Sequence, residues 1–165
     1  MRVPVLLVSL LALAAGLSWA QSEPPARHEW EPAAPVLGPL PLERFAEVLP
    51  AWEQAVVAAQ PARDVLSLLR TAGPTRIVVY FGSWCGDSFE HLPPLVAALR
   101  AADNPNLELE LIGLDRRKNA PDSWAGIEAV PTVIVYRDGA ELGRVVETPK
   151  STMDRDVAVI VAQKP

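Results

Sequence analysis

The one strong nucleophile in this sequence is Cys85, the single cysteine among 165 residues. It stands in Tyr80-Phe81-Gly82-Ser83-Trp84-Cys85-Gly86-Asp87-Ser88, where a β-branched and aromatic run ends, a short loop follows and a helix begins. A sulfur in that position lies beside unpaired N–H groups and the positive end of the helix dipole, which favour the thiolate, the form that attacks disulfides. Asp87, two residues on, disfavours a second negative charge unless it points into solvent. Ser88 either donates a hydrogen bond to the thiolate or simply caps the helix or packs. With no second cysteine, an intramolecular disulfide is impossible, and any thiol chemistry must engage another molecule.

The other candidates are weaker. His91 follows Cys85 by six residues, more than one helical turn away on a face that does not meet the sulfur, and reads as a surface histidine. Neither a metal site nor a cofactor is expected, and His28 carries no signal. Arg116-Arg117-Lys118 reads as a solvated loop run, with an anionic substrate near the site as the second reading. Trp84, immediately before the thiol, is expected as a lid on a groove; Trp52 and Trp124 are expected as core or cleft walls.

The elements that must position Cys85 are legible from periodicity. Ile77–Phe81 is a strand covered on both faces. Residues 86–102 carry an apolar stripe of Phe89, Leu92, Leu95, Val96 and Leu99, as a packed helix does. Leu107–Leu114 begins with strict apolar and acidic alternation, which predicts a strand with one wet face. A polar loop over Asp115–Asp122 and a helical turn or two over Ser123–Ile127 follow. Val133–Tyr136 is a buried strand, Asp138-Gly139 a hairpin turn, Leu142–Val146 the return strand and Ser151 to about Ala162 the last helix. Upstream, helical spacing starts at Leu42 and breaks at Pro50, and a second short helix spans Arg63–Arg70. Strands alternating with helices predict an α/β fold, a mixed central sheet with helices on both faces.

The N-terminal region is of a different kind. Arg2, an apolar run over Val3–Leu17 and then Ser18-Trp19-Ala20 read as a cleavable leader over residues 1–20. Pro4 and Ser9 interrupt the run, which is short against the roughly 20 residues a membrane-spanning helix needs. The expectation is therefore an exported, periplasmic or secreted protein without stable membrane insertion after cleavage; an uncleaved leader acting as an anchor is the alternative. Residues 21–41 are rich in proline and read as a linker or arm, and a single domain occupies 42–165. The formal net charge of −5 argues against nucleic acid as a partner.

From Ile77 to about Ala162 the sequence resembles the thioredoxin superfamily. The resemblance rests on Trp84-Cys85-Gly86-Asp87-Ser88 after a strand, Pro93 within the following helix, Gly126-Ile127-Glu128-Ala129-Val130-Pro131-Thr132, and Tyr136-Arg137-Asp138-Gly139 at a hairpin. It implies a thioredoxin-like fold in which Pro93 kinks the active-site helix. It also implies a cis Val130–Pro131 bond facing Cys85 across a groove for an extended substrate. By the same resemblance Cys85 and Ser88 are the catalytic positions, and Trp84, Gly86, Asp87, Val130 and Pro131 bind substrate. Three departures stand out. Ser88 replaces the second cysteine that resolves a mixed disulfide, Val79 replaces a buried acidic proton acceptor, and Glu147 replaces a glycine of the groove.

Two functions follow. One is a monothiol thiol-disulfide oxidoreductase or isomerase, which forms a mixed disulfide through Cys85 with a disulfide- or thiol-containing protein or a small thiol. The other is a redox-inactive binding module that uses the groove beside Pro131.

Overall fold

Ile77–Phe81 does lie at the centre of a sheet. The computed structural model describes residues 28–120 and 126–163. Its five strands are β1 (Gly38–Leu40), β2 (Thr75–Phe81), β3 (Leu107–Gly113), β4 (Thr132–Arg137) and β5 (Ala140–Val146), in the spatial order β1-β3-β2-β4-β5. β2 runs parallel to β3 and antiparallel to β4. β4 and β5 form the hairpin at Asp138-Gly139, where both residues have positive φ, 50° and 79°. Asparagine, aspartate and glycine tolerate that conformation, so the dipeptide specifies the turn.

Because side chains alternate along a strand, β2 feeds two cores. Ile77, Val79 and Phe81 enter the larger cluster and Val78 and Tyr80 the smaller one on the opposite face. Buried residues of α1 (Phe45–Val48), α2 (Pro50–Ala58), α3 (Arg63–Arg70), α4 (Gly86–Ala102) and α5 (Met153–Val161) all join the larger cluster. Pro50 starts α2 at its first turn, where its missing N–H costs nothing. Pro93 and Pro94 lie inside α4, which continues through both and ends at Asp103 in the left-handed conformation.

The mixed sheet and the α/β class are as the periodicity predicts. Among the described residues every helix packs on one face. The other is covered at one end by Trp84, Cys85, Ala120 and Ile127 from loops. At its far end Arg76 lies over the Tyr136 ring and pairs with Glu110 at 3.1 Å. Most of the helical turn or two expected over Ser123–Ile127 falls on residues 121–125, which, with Trp124, lie outside the described residues; Gly126 and Ile127 are not helical.

The described part of the arm, from His28 on, packs against the domain. Trp30 stacks on Phe89 of α4 with ring centroids 5.0 Å apart, His28 stacks on Trp30, and the Trp52 indole N–H donates to the Trp30 carbonyl at 3.0 Å. Further along, Gly38–Leu40 pairs antiparallel with β3. A β-carbon on Gly113 would come within 2.3 Å of the Val36 carbonyl oxygen, so this close approach depends on glycine. Proline content concealed these contacts, since Pro39 is compatible with an edge strand though not with a central one. The leader region, residues 1–20, lies outside the described residues. No helix among the described residues is long and apolar enough to cross a membrane.

Candidate functional site

Two parallel strands, β2 and β3, end side by side at Phe81 and Gly113, and the site is built where they end. This is where α/β sheets commonly bind ligands, because the connecting loops open there. From Phe81 the chain turns sharply, the Cys85 N–H donating to the Gly82 carbonyl at 2.9 Å. Cys85 then occupies the N-cap of α4 with extended backbone, φ −102° and ψ 125°, and its carbonyl accepts from Phe89 N–H at 3.1 Å. The sequence-derived placement of the thiol at a strand-to-helix junction is therefore what the fold shows.

The sulfur is half-buried, and its thiol donates to the Val130 carbonyl oxygen at 3.3 Å. The Val130–Pro131 peptide bond is cis, and the Pro131 carbonyl accepts from Glu147 N–H at 2.7 Å. Cys85, Val130, Pro131 and the start of the β5–α5 connection thus meet at one place. Glu147 holds a left-handed φ of 57°, a conformation in which glycine is less strained. Gly86 and Asp87 are exposed on the first turn of α4. An acid there is favourable to the helix dipole.

Ser88 packs rather than caps the helix or bonds the thiol. It is fully buried, and its hydroxyl oxygen accepts a hydrogen bond from the Gly82 N–H at 3.2 Å. It joins the strand end to the helix start, and no hydrogen bond connects it to Cys85 among the described residues. Val79, at the position where the resemblance places an acid, is buried within the larger apolar cluster. No carboxylate stands there to accept a proton.

Trp84 forms a wall of the site. Its indole N–H donates to the Leu114 carbonyl at 2.8 Å, and it packs against the smaller core cluster. Gly82 makes room for it, since a β-carbon there would lie 2.7 Å from the indole ring. The Arg116 guanidinium sits over the Trp84 ring, 4.9 Å from its centroid. Ser83, fully buried, accepts from the Val36 N–H at 2.9 Å and fastens the arm to the loop that carries the thiol. Neither Gly82 nor Ser83 stood out from the sequence as a supporting residue; a small pair immediately before Trp-Cys was the available signal.

His91 is half-buried, not a free surface residue. With Glu90, Gln60, Met153 and Asp154 it lines a cavity of about 490 Å³ between α4, the α2–α3 turn and the start of α5. Among the described residues no group of three or more histidine, cysteine or acidic side chains is placed to hold a metal ion.

A mixed five-stranded sheet whose central strand delivers a cysteine to a helix N-terminus, opposite a cis X–Pro bond, defines the thioredoxin-like class. A sequence model of the thioredoxin family matches residues 46–159, and the chain belongs to that family. It is 31% identical over 70 residues to a thioredoxin of Chlamydia pneumoniae, covering 42% of this chain and 66% of that protein. It is 28% identical over 81 residues to thioredoxin H-type 1 of Nicotiana tabacum, covering 49% of this chain and 62% of that one. The chain thus spans just under two thirds of the length of these relatives. A crystal structure of a protein of unknown function from Pseudomonas aeruginosa superposes with a TM-score of 0.51 at 25% identity, over 73% of this chain and 81% of that one. The docked arm lies before the matched residues.

Proposed function

We propose that the protein is an exported monothiol thiol-disulfide oxidoreductase or isomerase. The observation that carries the reading is the half-exposed Cys85 sulfur at the N-cap of α4, beside the Val130 carbonyl and Pro131. The Cys85 thiolate attacks one sulfur of a substrate disulfide; a new S–S bond forms, the old one breaks, and the departing substrate thiolate takes up a proton. A second thiolate then attacks the mixed disulfide and releases Cys85. When it comes from the same substrate the net result is isomerisation without net oxidation. When it comes from a small thiol, the substrate is left as a mixed disulfide with that thiol, and attack by a second small thiol completes the two-electron reduction, two small thiols becoming one disulfide. The absence of a second cysteine requires one of these routes. Support for export comes from the leader-like residues 1–20.

The experiment is trapping. Incubation of the protein with a cystine-containing peptide should give a covalent adduct on a non-reducing gel, mapped to Cys85 by mass spectrometry and abolished by Cys85→Ala. Free Cys85 throughout, at a peptide excess that modifies a control thiol, sinks the redox reading. The buried Val79 favours one further reading, a binding module without turnover. Undiminished affinity of Cys85→Ala for a partner, together with no adduct, is its signature.

A further inference from the structure

The chain is acidic overall, with a formal net charge of −5, yet one rim of its site carries three consecutive cations, Arg116, Arg117 and Lys118. The loop that bears them is tightly tied. The Asp115 carboxylate accepts from the N–H groups of Arg117 at 2.7 Å and Asn119 at 2.8 Å, while Asp115 N–H donates to the Asn119 carbonyl at 2.9 Å. These bonds, with that from Asn119 the largest influence, hold the Asp115 carboxyl below its ordinary value. Asp115 is engaged mainly by backbone N–H groups, with a lesser electrostatic attraction to Arg117, and none of the three basic side chains makes a salt bridge among the described residues. Arg116 and Arg117 are exposed, and Arg116 is stacked over Trp84, the residue adjoining Cys85 in sequence and packed with it in the same cluster.

An arginine on an aromatic face keeps all five N–H donors at its edge, free for a carboxylate. Because Trp84 is fixed by its bond to Leu114, the guanidinium is held near the thiol without a protein anion to neutralise it. We propose that this rim selects acidic peptide segments: the cysteine presented to Cys85 is flanked by aspartate or glutamate side chains that meet Arg116, Arg117 and Lys118. The inference rests on the disulfide-exchange reading for what happens after docking, not for the docking itself. Asp87, exposed on the first turn of α4, and Glu147 beside Pro131 carry the opposite sign, so the preference belongs to the β3 side of the groove.

The test separates the two readings. Full-length protein carrying Cys85→Ser is titrated with two fluorescent peptides that lack cysteine and differ only in three central residues, aspartate in one and asparagine in the other. Anisotropy should show the acidic peptide binding about tenfold tighter at low ionic strength, the combined effect of a few exposed ion pairs. The advantage should shrink at about 0.5 M salt, where the screening length falls to a few ångströms. It should disappear in Arg116→Gln/Arg117→Gln/Lys118→Gln, which alters two exposed positions and one half-buried one, none of them in the core, and grow in Asp87→Asn. Equal binding of the two peptides, or a preference that survives the triple substitution, overturns the proposal. In a parallel arm, cystine versions of both peptides are offered to the unaltered chain; failure of either to form an adduct counts against the redox reading alone.

Discussion

The two faces of the sheet are put to different uses. One carries every described helix and the largest buried side chains, Trp52, Phe45 and Phe81 among them. The other is apolar only toward the site, where Tyr80, Ile112, Leu114, Val130 and Ile134 lie under Trp84 and Cys85, and is charged at Arg76 and Glu110. Apolar burial is the main source of folding free energy, so the helical face holds the structure together. The opposite face, closed by loops, can expose a sulfur. The lesson is that the covering withheld from one face leaves its loops free for chemistry.

That division can be broken by substitution. The largest expected effect is at Trp52, fully buried and hydrogen-bonded to the arm. Trp52→Ala should cost about 3–5 kcal/mol in urea unfolding. Protection of the arm from proteolysis should fall with it, while the Cys85 alkylation rate of the remaining folded molecules changes little. Gly82→Ala tests the other face. Its β-carbon would meet the Trp84 indole at 2.7 Å and Cys85 Cβ at 3.2 Å, so the wall and the nucleophile must shift. The expected stability cost is smaller, about 1–3 kcal/mol, whereas adduct formation should slow about tenfold or more. Equal losses of stability and reactivity in both variants would dissolve the distinction.

The legibility of the molecule follows the same line. Strand β2, helix α4 and the Asp138-Gly139 turn announce themselves because their causes are local: β-branching, an apolar stripe, a dipeptide suited to positive φ. Cys85 was legible for the same reason, as its setting is a junction of two such segments. What the sequence concealed depends on distant partners. The Trp30–Phe89 stack and the Arg116–Trp84 contact join segments that no periodicity links, and the role of Ser88 stays open until the buried Gly82 N–H is seen to need an acceptor. His91 was misplaced because helix phase alone ignored the approach of α5.

The smallest predicted effect lies on the helical face's exterior. Arg155 of α5 pairs with Asp64 of α3, and the hydrogen bond from Arg155 holds the Asp64 carboxyl below its ordinary value. A carboxyl lowered in the folded state stabilises it above the unfolded value, and that contribution is lost as pH falls through the folded one. Thermal melts should therefore show a slight advantage of the parent over Asp64→Asn at neutral pH that vanishes in acid, and high salt should erase it. A difference that grows on acidification contradicts the assignment.

The docked arm has a consequence for how the molecule keeps to itself. Without β1, the row of backbone amides and carbonyls along β3 would face outward beside the alternating Leu107-Glu108-Leu109-Glu110-Leu111, a template for pairing with another chain. The arm covers part of that row with a three-residue strand whose centre is Pro39, which has no N–H to extend the ladder further. At the opposite margin, β5 carries the Arg144–Glu141 ion pair. Charge and proline are the usual guards of open sheet margins, and the proline-rich segment that reads as a spacer occupies part of one here.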